Sequence, residues 1–244
     1  MKRFFYILLT TVIVIGGVIL LKKDNTSTAG NPTNHTQGKG TSGVTLVMYA
    51  DFQCPGCGSF YPIMKQVTDH YKDEIKFQFV NFPLTNIHLN ALAASRAAEA
   101  ASKQNKFWEM HDKLYENQQI WSNATNATTN FDGYASEIGL NMTQYRKDFA
   151  SSETNAVINA DIASGQKLRV TGTPTFFLDG VQIKDNNSVA TAQKFIEVID
   201  KEIQAKTGKP STSTSNTSAT DATVPAGAPT ESTGTSDTTD AASN

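Results

Sequence analysis

Two cysteines occur in the 244-residue chain, Cys54 and Cys57, and they stand two residues apart in Asp51-Phe52-Gln53-Cys54-Pro55-Gly56-Cys57. Thiols so spaced can close a disulfide, open it, and pass it to other thiols. Two other roles fit poorly. A zinc half-site needs a second ligand pair, and His35, His70, His88 and His111 form no such pair. A purely structural disulfide would close too small a loop to stabilise much. The chemistry expected of the pair is thiol–disulfide exchange.

The flanking residues say how the pair is held. Residues 44–50 form an apolar run of strand length, and Phe60, Ile63, Met64, Val67 and Tyr71 follow at helical spacing. The cysteines therefore sit where a buried strand turns into an amphipathic helix, with Cys54 at the N-cap, Pro55 at N1 and Cys57 at N3. Proline is favoured at N1, where its missing N–H is not needed. The Cys54 sulfur then faces unpaired N–H groups and the positive end of the helix dipole, which favour thiolate. Its pKa should fall below the free value of about 8.5. Cys57, one turn in, is expected to be the more buried, resolving thiol.

Further along, residues 75–82 alternate apolar and polar as a half-buried strand does, giving a strand–helix–strand unit with a parallel pair. An alanine-rich segment at 88–104 and periodic segments at 106–118, 131–138, 143–149 and 153–168 read as helices, with a polar loop at 121–130. Trp108, Trp121 and His111 read as packing residues. His88, at a helix start, receives no role. Residues 171–183 read as two strands around Asp179-Gly180, a hairpin signal, with Pro174 opening the first. Residues 188–203 carry an apolar stripe through Ile196, Ile199 and Ile203.

The ends differ in composition. After Lys2 and Arg3, residues 4–21 carry no charge and close at Lys22-Lys23. As a helix this run would be about 27 Å long, close to a bilayer core. It reads as an uncleaved anchor rather than a signal peptide, because it is long and no small-x-small site follows it directly. Secretion after cleavage is the alternative. Residues 24–43 read as a flexible linker, and the Ser/Thr-rich residues 206–244 as a disordered tail. A formal charge of −2 gives no basic footprint for nucleic acid.

The segments D-F-Q-C-P-G-C-G-S-F-Y-P and V-T-G-T-P-T-F-F-L-D-G resemble the DsbA-like branch of thiol–disulfide oxidoreductases, over about residues 44–203. The resemblance implies an α/β thioredoxin fold at 44–205 with a helical insertion at about 86–168, and no metal or organic cofactor. It implies Cys54 as nucleophile, Cys57 as resolving thiol, and a cis Pro174 whose neighbour Thr173 offers backbone hydrogen bonds to substrate. Implied partners are reduced or unfolded exported proteins and a membrane quinone-linked thiol oxidase, with the chain a monomer held at the membrane. There are departures. Pro55-Gly56 lacks the histidine that many relatives place between the cysteines, and Met48 stands six before Cys54, where some have glutamate. Asp51 is the nearest acid in sequence and a possible proton carrier. The same chemistry run as a reductase or isomerase, or a redox-inert peptide-binding module, are the alternatives.

Overall fold

In the computed structural model, which describes residues 30–213, the sheet begins earlier than the sequence predicts. Strand β1 (His35–Gln37) pairs antiparallel with β3 (Lys76–Asn81), so residues 30–43 are not linker. Thr33 donates from its N–H and hydroxyl to Asp161, at 2.6 and 2.8 Å. His35 stacks on Phe107 and bonds Glu99 at 2.7 Å. These contacts are polar and distant in sequence, so no local apolar period announces them. Residues 1–29, with the expected anchor, lie outside the described residues. Among the described residues no helix is long and apolar enough to cross a membrane.

Strand β2 (Thr45–Ala50) lies parallel to β3 and antiparallel to β4 (Thr175–Leu178), and β4 pairs with β5 (Val181–Gln182). The order across the sheet is β1-β3-β2-β4-β5. Helix α1 (Pro55–His70) links β2 to β3 as the crossover that a parallel pair requires. Between β3 and β4 come α2 (Ala91–Ser102), α3 (Phe107–Glu116), α4 (Gln118–Trp121), α5 (Thr128–Glu137), α6 (Met142–Phe149) and α7 (Ser152–Lys167). A short 3-10 turn (Asn186–Val189) precedes α8 (Ala192–Thr207). The segment read as a polar loop thus contributes the end of α4 and the start of α5. Trp121 is fully buried, its indole N–H donating to the Leu114 carbonyl at 2.8 Å.

Strand alternation sends side chains to two cores. Leu46, Met48, Phe77, Phe79, Phe176 and Leu178 join the large core with α1, α8 and the helical insertion. Tyr49, Val80, Phe82 and Phe177 form a smaller cluster on the other face, where Ile162 of α7 packs. Gly165 makes this approach possible, because a Cβ there would sit 2.7 Å from the Phe82 ring. On α2 the alanines at 94, 97, 98 and 101 are fully buried, as expected of a helix that neighbours approach closely.

The expected tail boundary also moves. Helix α8 runs to Thr207 and ends at Gly208, whose φ of +71° suits a left-handed cap. Ser211 and Thr212 then bond the Glu74 carboxylate, so the fold extends to residue 213. Residues 214–244 lie outside the described residues.

Asp161, fully buried, accepts from Thr33 and from the Asn81 N–H and side-chain amide, at 3.1 and 3.0 Å. The Asn81 amide also reaches Glu99 at 2.7 Å. One buried polar network thus ties the N-terminal arm, the end of β3, α2 and α7. Asp161→Ala strands the buried Thr33 and Asn81 donors and should cost about 2–4 kcal/mol in urea unfolding. A loss under about 0.5 kcal/mol would show that the network carries no stability.

Candidate active site

The pair is held as its residue types require. Strand β2 ends at Ala50, and the Asp51 carbonyl accepts the Cys54 N–H at 3.2 Å. Cys54 is the N-cap of α1 with extended backbone, and Pro55 is at N1. Both cysteines are thiols, with Cys54 8% exposed and Cys57 fully buried. The Thr173–Pro174 peptide is cis. It brings the Thr173 carbonyl within 3.3 Å of the Cys54 sulfur, which donates to it. Gly56 faces the same loop, and a Cβ there would lie 3.4 Å from Pro174 Cδ and 3.6 Å from the Cys54 sulfur. Cys54, Cys57, Thr173 and Pro174, distant in sequence, therefore meet in one place.

The two thiols have opposite electrostatics. The Cys54 pKa is lowered to about 6, chiefly because the Cys57 thiol donates to its thiolate. Burial opposes this. Thr173, whose hydroxyl has no hydrogen-bond partner and so is left to turn toward the sulfur, and the Cys57 N–H add to it. Cys57 is pushed well above the ordinary thiol range, first by burial and then by its place beside Cys54. The helix start thus holds one sulfur ready as an anion and the other as a neutral acid.

Asp51 lies directly behind this turn and is fully buried. Its carboxylate accepts from the Gln53 N–H at 2.7 Å and the Leu84 N–H at 2.8 Å, and contacts the His88 ring at 2.7 Å. Its charge works against both thiolates. His88, given no role from sequence, thus joins the loop after β3 to the cysteine turn. Gln53 does the same from the other side: its carbonyl oxygen accepts the Asn90 N–H at 2.6 Å, and its amide donates to the Ser122 carbonyl at 2.8 Å.

Sequence reasoning missed Gln118. Its amide donates to the carbonyls of Phe52 and Cys54, at 2.7 and 2.9 Å, and so pins the turn from the helical insertion. A signal was present in Gly58. A glycine inside a helix costs about 1 kcal/mol relative to alanine and asks for a reason. The reason is close approach: a Cβ at Gly58 would lie 2.2 Å from Gln118 Oε1.

Comparison with known proteins agrees with this geometry. A family model described as thioredoxin matches residues 30–198. Among solved structures, oxidised BdbD from Bacillus subtilis superposes with a TM-score of 0.62 at 23% identity, over 72% of this chain and 97% of that one. A thioredoxin-like oxidoreductase from Silicibacter pomeroyi gives 0.58 at 23%, over 73% and 97%. DsbA2 from Pseudomonas aeruginosa gives 0.54 at 22%, over 71% and 96%. Among curated relatives, a protein named Na(+)/H(+) antiporter NhaA 3 from Salinispora tropica is 35% identical over 147 residues, 60% of this chain. The chain spans only 22% of that relative's length. The chain belongs to the thioredoxin family and has the fold of its DsbA-type oxidoreductases.

Proposed function

We propose that the chain is an exported thiol–disulfide oxidoreductase that donates disulfides to newly exported proteins from a Cys54–Cys57 disulfide. The observation that carries this reading is the pairing of an acidic, partly accessible Cys54 with a buried, weakly acidic Cys57 beside the Thr173–Pro174 loop. A substrate thiolate attacks the Cys54 sulfur, and Cys57 leaves and takes a proton. A second substrate thiolate then attacks the substrate sulfur of the mixed disulfide. The substrate gains a disulfide, and Cys54 departs as the thiolate that its surroundings favour. Two electrons have entered the pair, and a membrane quinone-linked thiol oxidase takes them back.

Substrate recognition rests on backbone and apolar contact. Thr173 can pair with an extended segment. Ile87 and Leu89, 58% and 77% exposed, flank His88, and Ile120, 64% exposed, shares a short helix with Gln118. Exposed apolar residues on segments that bond the cysteine turn suit unfolded chains. In this reading Asp51 holds the turn rather than carrying the proton, since its carboxylate is already engaged by two N–H groups and a ring. Residues 4–21 anchor the domain on the outer side of the membrane, with cleavage and release as the alternative.

Direction follows from the Cys54 pKa, with a checkable sign. A depressed thiolate pKa stabilises the reduced fold fully above the unfolded thiol value of about 8.5. The contribution shrinks as pH falls and is gone below the folded value of about 6. At pH 7 reduced protein should therefore melt above oxidised protein, and the gap should close on acidification. Equilibration with glutathione should give a potential between about −270 and −120 mV, values known for thioredoxin and DsbA. A higher-melting oxidised form with a potential at the thioredoxin end would make the enzyme a reductase.

Division of labour gives a second expectation. Cys57→Ser should accumulate mixed disulfides on Cys54, detectable by mass spectrometry after exposure to reduced unfolded protein and glutathione disulfide. Cys54→Ser should accumulate almost none, because the remaining sulfur is buried and protonated. Equal trapping on both variants would reverse the assignment.

A further inference from the structure

A second opening reaches the buried thiol from behind. A cavity of about 70 Å³ is lined by Met48, Cys57, Lys65, His111, Asp112 and Tyr115, among others. That volume holds more than one water. Its mouth is polar: the Lys65 and Asp112 side chains are half exposed and bond each other at 3.2 Å. Fully buried Cys57 and the Tyr115 ring both line it, and the Tyr115 hydroxyl feels the Cys57 sulfur. That hydroxyl is buried and has no hydrogen-bond partner.

His111 lines the same cavity. It is enclosed by the rings of Phe52, Tyr61, Phe79, Phe107, Trp108 and Tyr115, the last with centroids 5.0 Å away. Its Nδ1 contacts Asp112 Oδ1 at 2.9 Å. With Nδ1–H donating to that carboxylate, Nε2 is the basic nitrogen. Burial lowers the His111 pKa, while Asp112 raises it, so the ring is neutral at pH 7 and able to accept a proton. The charged and titratable groups around it are Tyr61, Lys65 and Asp69 from α1, His35 from β1, and Asp112 and Tyr115 from its own helix.

A thiol this buried needs a proton partner. Exchange between the sulfurs requires Cys57 to lose its proton when it attacks Cys54 and to regain it when it leaves. Asp51 is engaged elsewhere, and Met48, at the same cavity, carries no ionisable group. We propose that this cavity is the proton route of Cys57, with His111 as the acceptor and donor, the Tyr115 hydroxyl or a water as relay, and Asp112 orienting the ring and passing the proton to solvent. In the closing direction, the Cys57 S–H proton moves to His111 as the Cys57 sulfur attacks Cys54 of a mixed disulfide. The Cys54–Cys57 bond forms, the bond to the other sulfur breaks, and that thiolate leaves. Donation of the disulfide runs the same steps backwards, with His111 protonating Cys57. The inference rests on the exchange chemistry proposed above.

The test is stopped-flow reaction of the full reduced chain with excess glutathione disulfide, which separates mixed-disulfide formation on Cys54 from closure by Cys57. Failure to form the mixed disulfide would overturn the exchange reading itself. Given formation, closure tests the proton route. In the wild type, closure should fall as pH drops through the His111 pKa. His111→Gln should slow closure at pH 7 by at least about tenfold and abolish that limb. Imidazole should restore closure in His111→Ala, whose enlarged cavity can admit it. Asp112→Asn, at a half-exposed position that the core does not depend on, should move the limb to lower pH, because the ring loses the carboxylate that makes it more basic. Closure within about twofold of wild type in His111→Gln would overturn the route. So would an unchanged pH profile in Asp112→Asn, or a slowed His111→Ala that imidazole leaves unrestored.

Discussion

The site depends on one asymmetry, that of two sulfurs one helical turn apart on opposite sides of a solvation boundary. Cys54 occupies the N-cap, where backbone N–H groups and the Cys57 thiol favour its anion. Cys57 projects into the core, where burial outweighs the one backbone hydrogen bond that favours its anion and holds its proton on. Each sulfur's state helps set the other's, because the donor that steadies the Cys54 thiolate is the Cys57 thiol. The remainder of the chain keeps this boundary in register. Gln118 and Asp51 fix the turn from the helical and sheet sides, and the Thr173–Pro174 loop closes the front.

Much of this was legible in the sequence because it is local. The strand before Cys54, the proline at N1, the period-3.6 apolar face of α1 and the Asp179-Gly180 hairpin each leave a mark within a few residues. The meeting of Pro174 with the cysteines came from resemblance, not from periodicity, since no local pattern relates positions so far apart. Three features stayed hidden for a common reason. The N-terminal arm, the Gln118 clamp and the His88–Asp51 contact are polar, long-range bonds made by residues that also populate loops. Thr33 and His35 look like linker until Asp161 and Glu99 are beside them. Gly58 alone hinted at such an approach.

The helical insertion looks in sequence like an addition to a smaller fold, yet it contributes the back wall of the site. His111, read as packing, does pack, against a nearly continuous set of aromatic rings. The same rings bury it and so favour its neutral form, so packing and chemistry are not competing descriptions of this residue. Asp161 illustrates the complementary case: a buried carboxylate whose acceptor sites are filled by donors from the arm and β3, which makes it a structural tie.

The Thr173 carbonyl has a further consequence. Both sheet margins are short, three residues in β1 and two in β5, so neither offers a long ladder to a passing extended chain. When Cys54 is protonated, the carbonyl that could start such pairing is occupied, because the Cys54 S–H donates to it. Once Cys54 is a thiolate or is bonded to another sulfur there is no S–H left, and the acceptor is free for a peptide N–H. The grip on substrate is thus conditional on the state of Cys54: it is available in the thiolate and in the mixed disulfide, and withdrawn when the sulfur takes up a proton, below a pH of about 6.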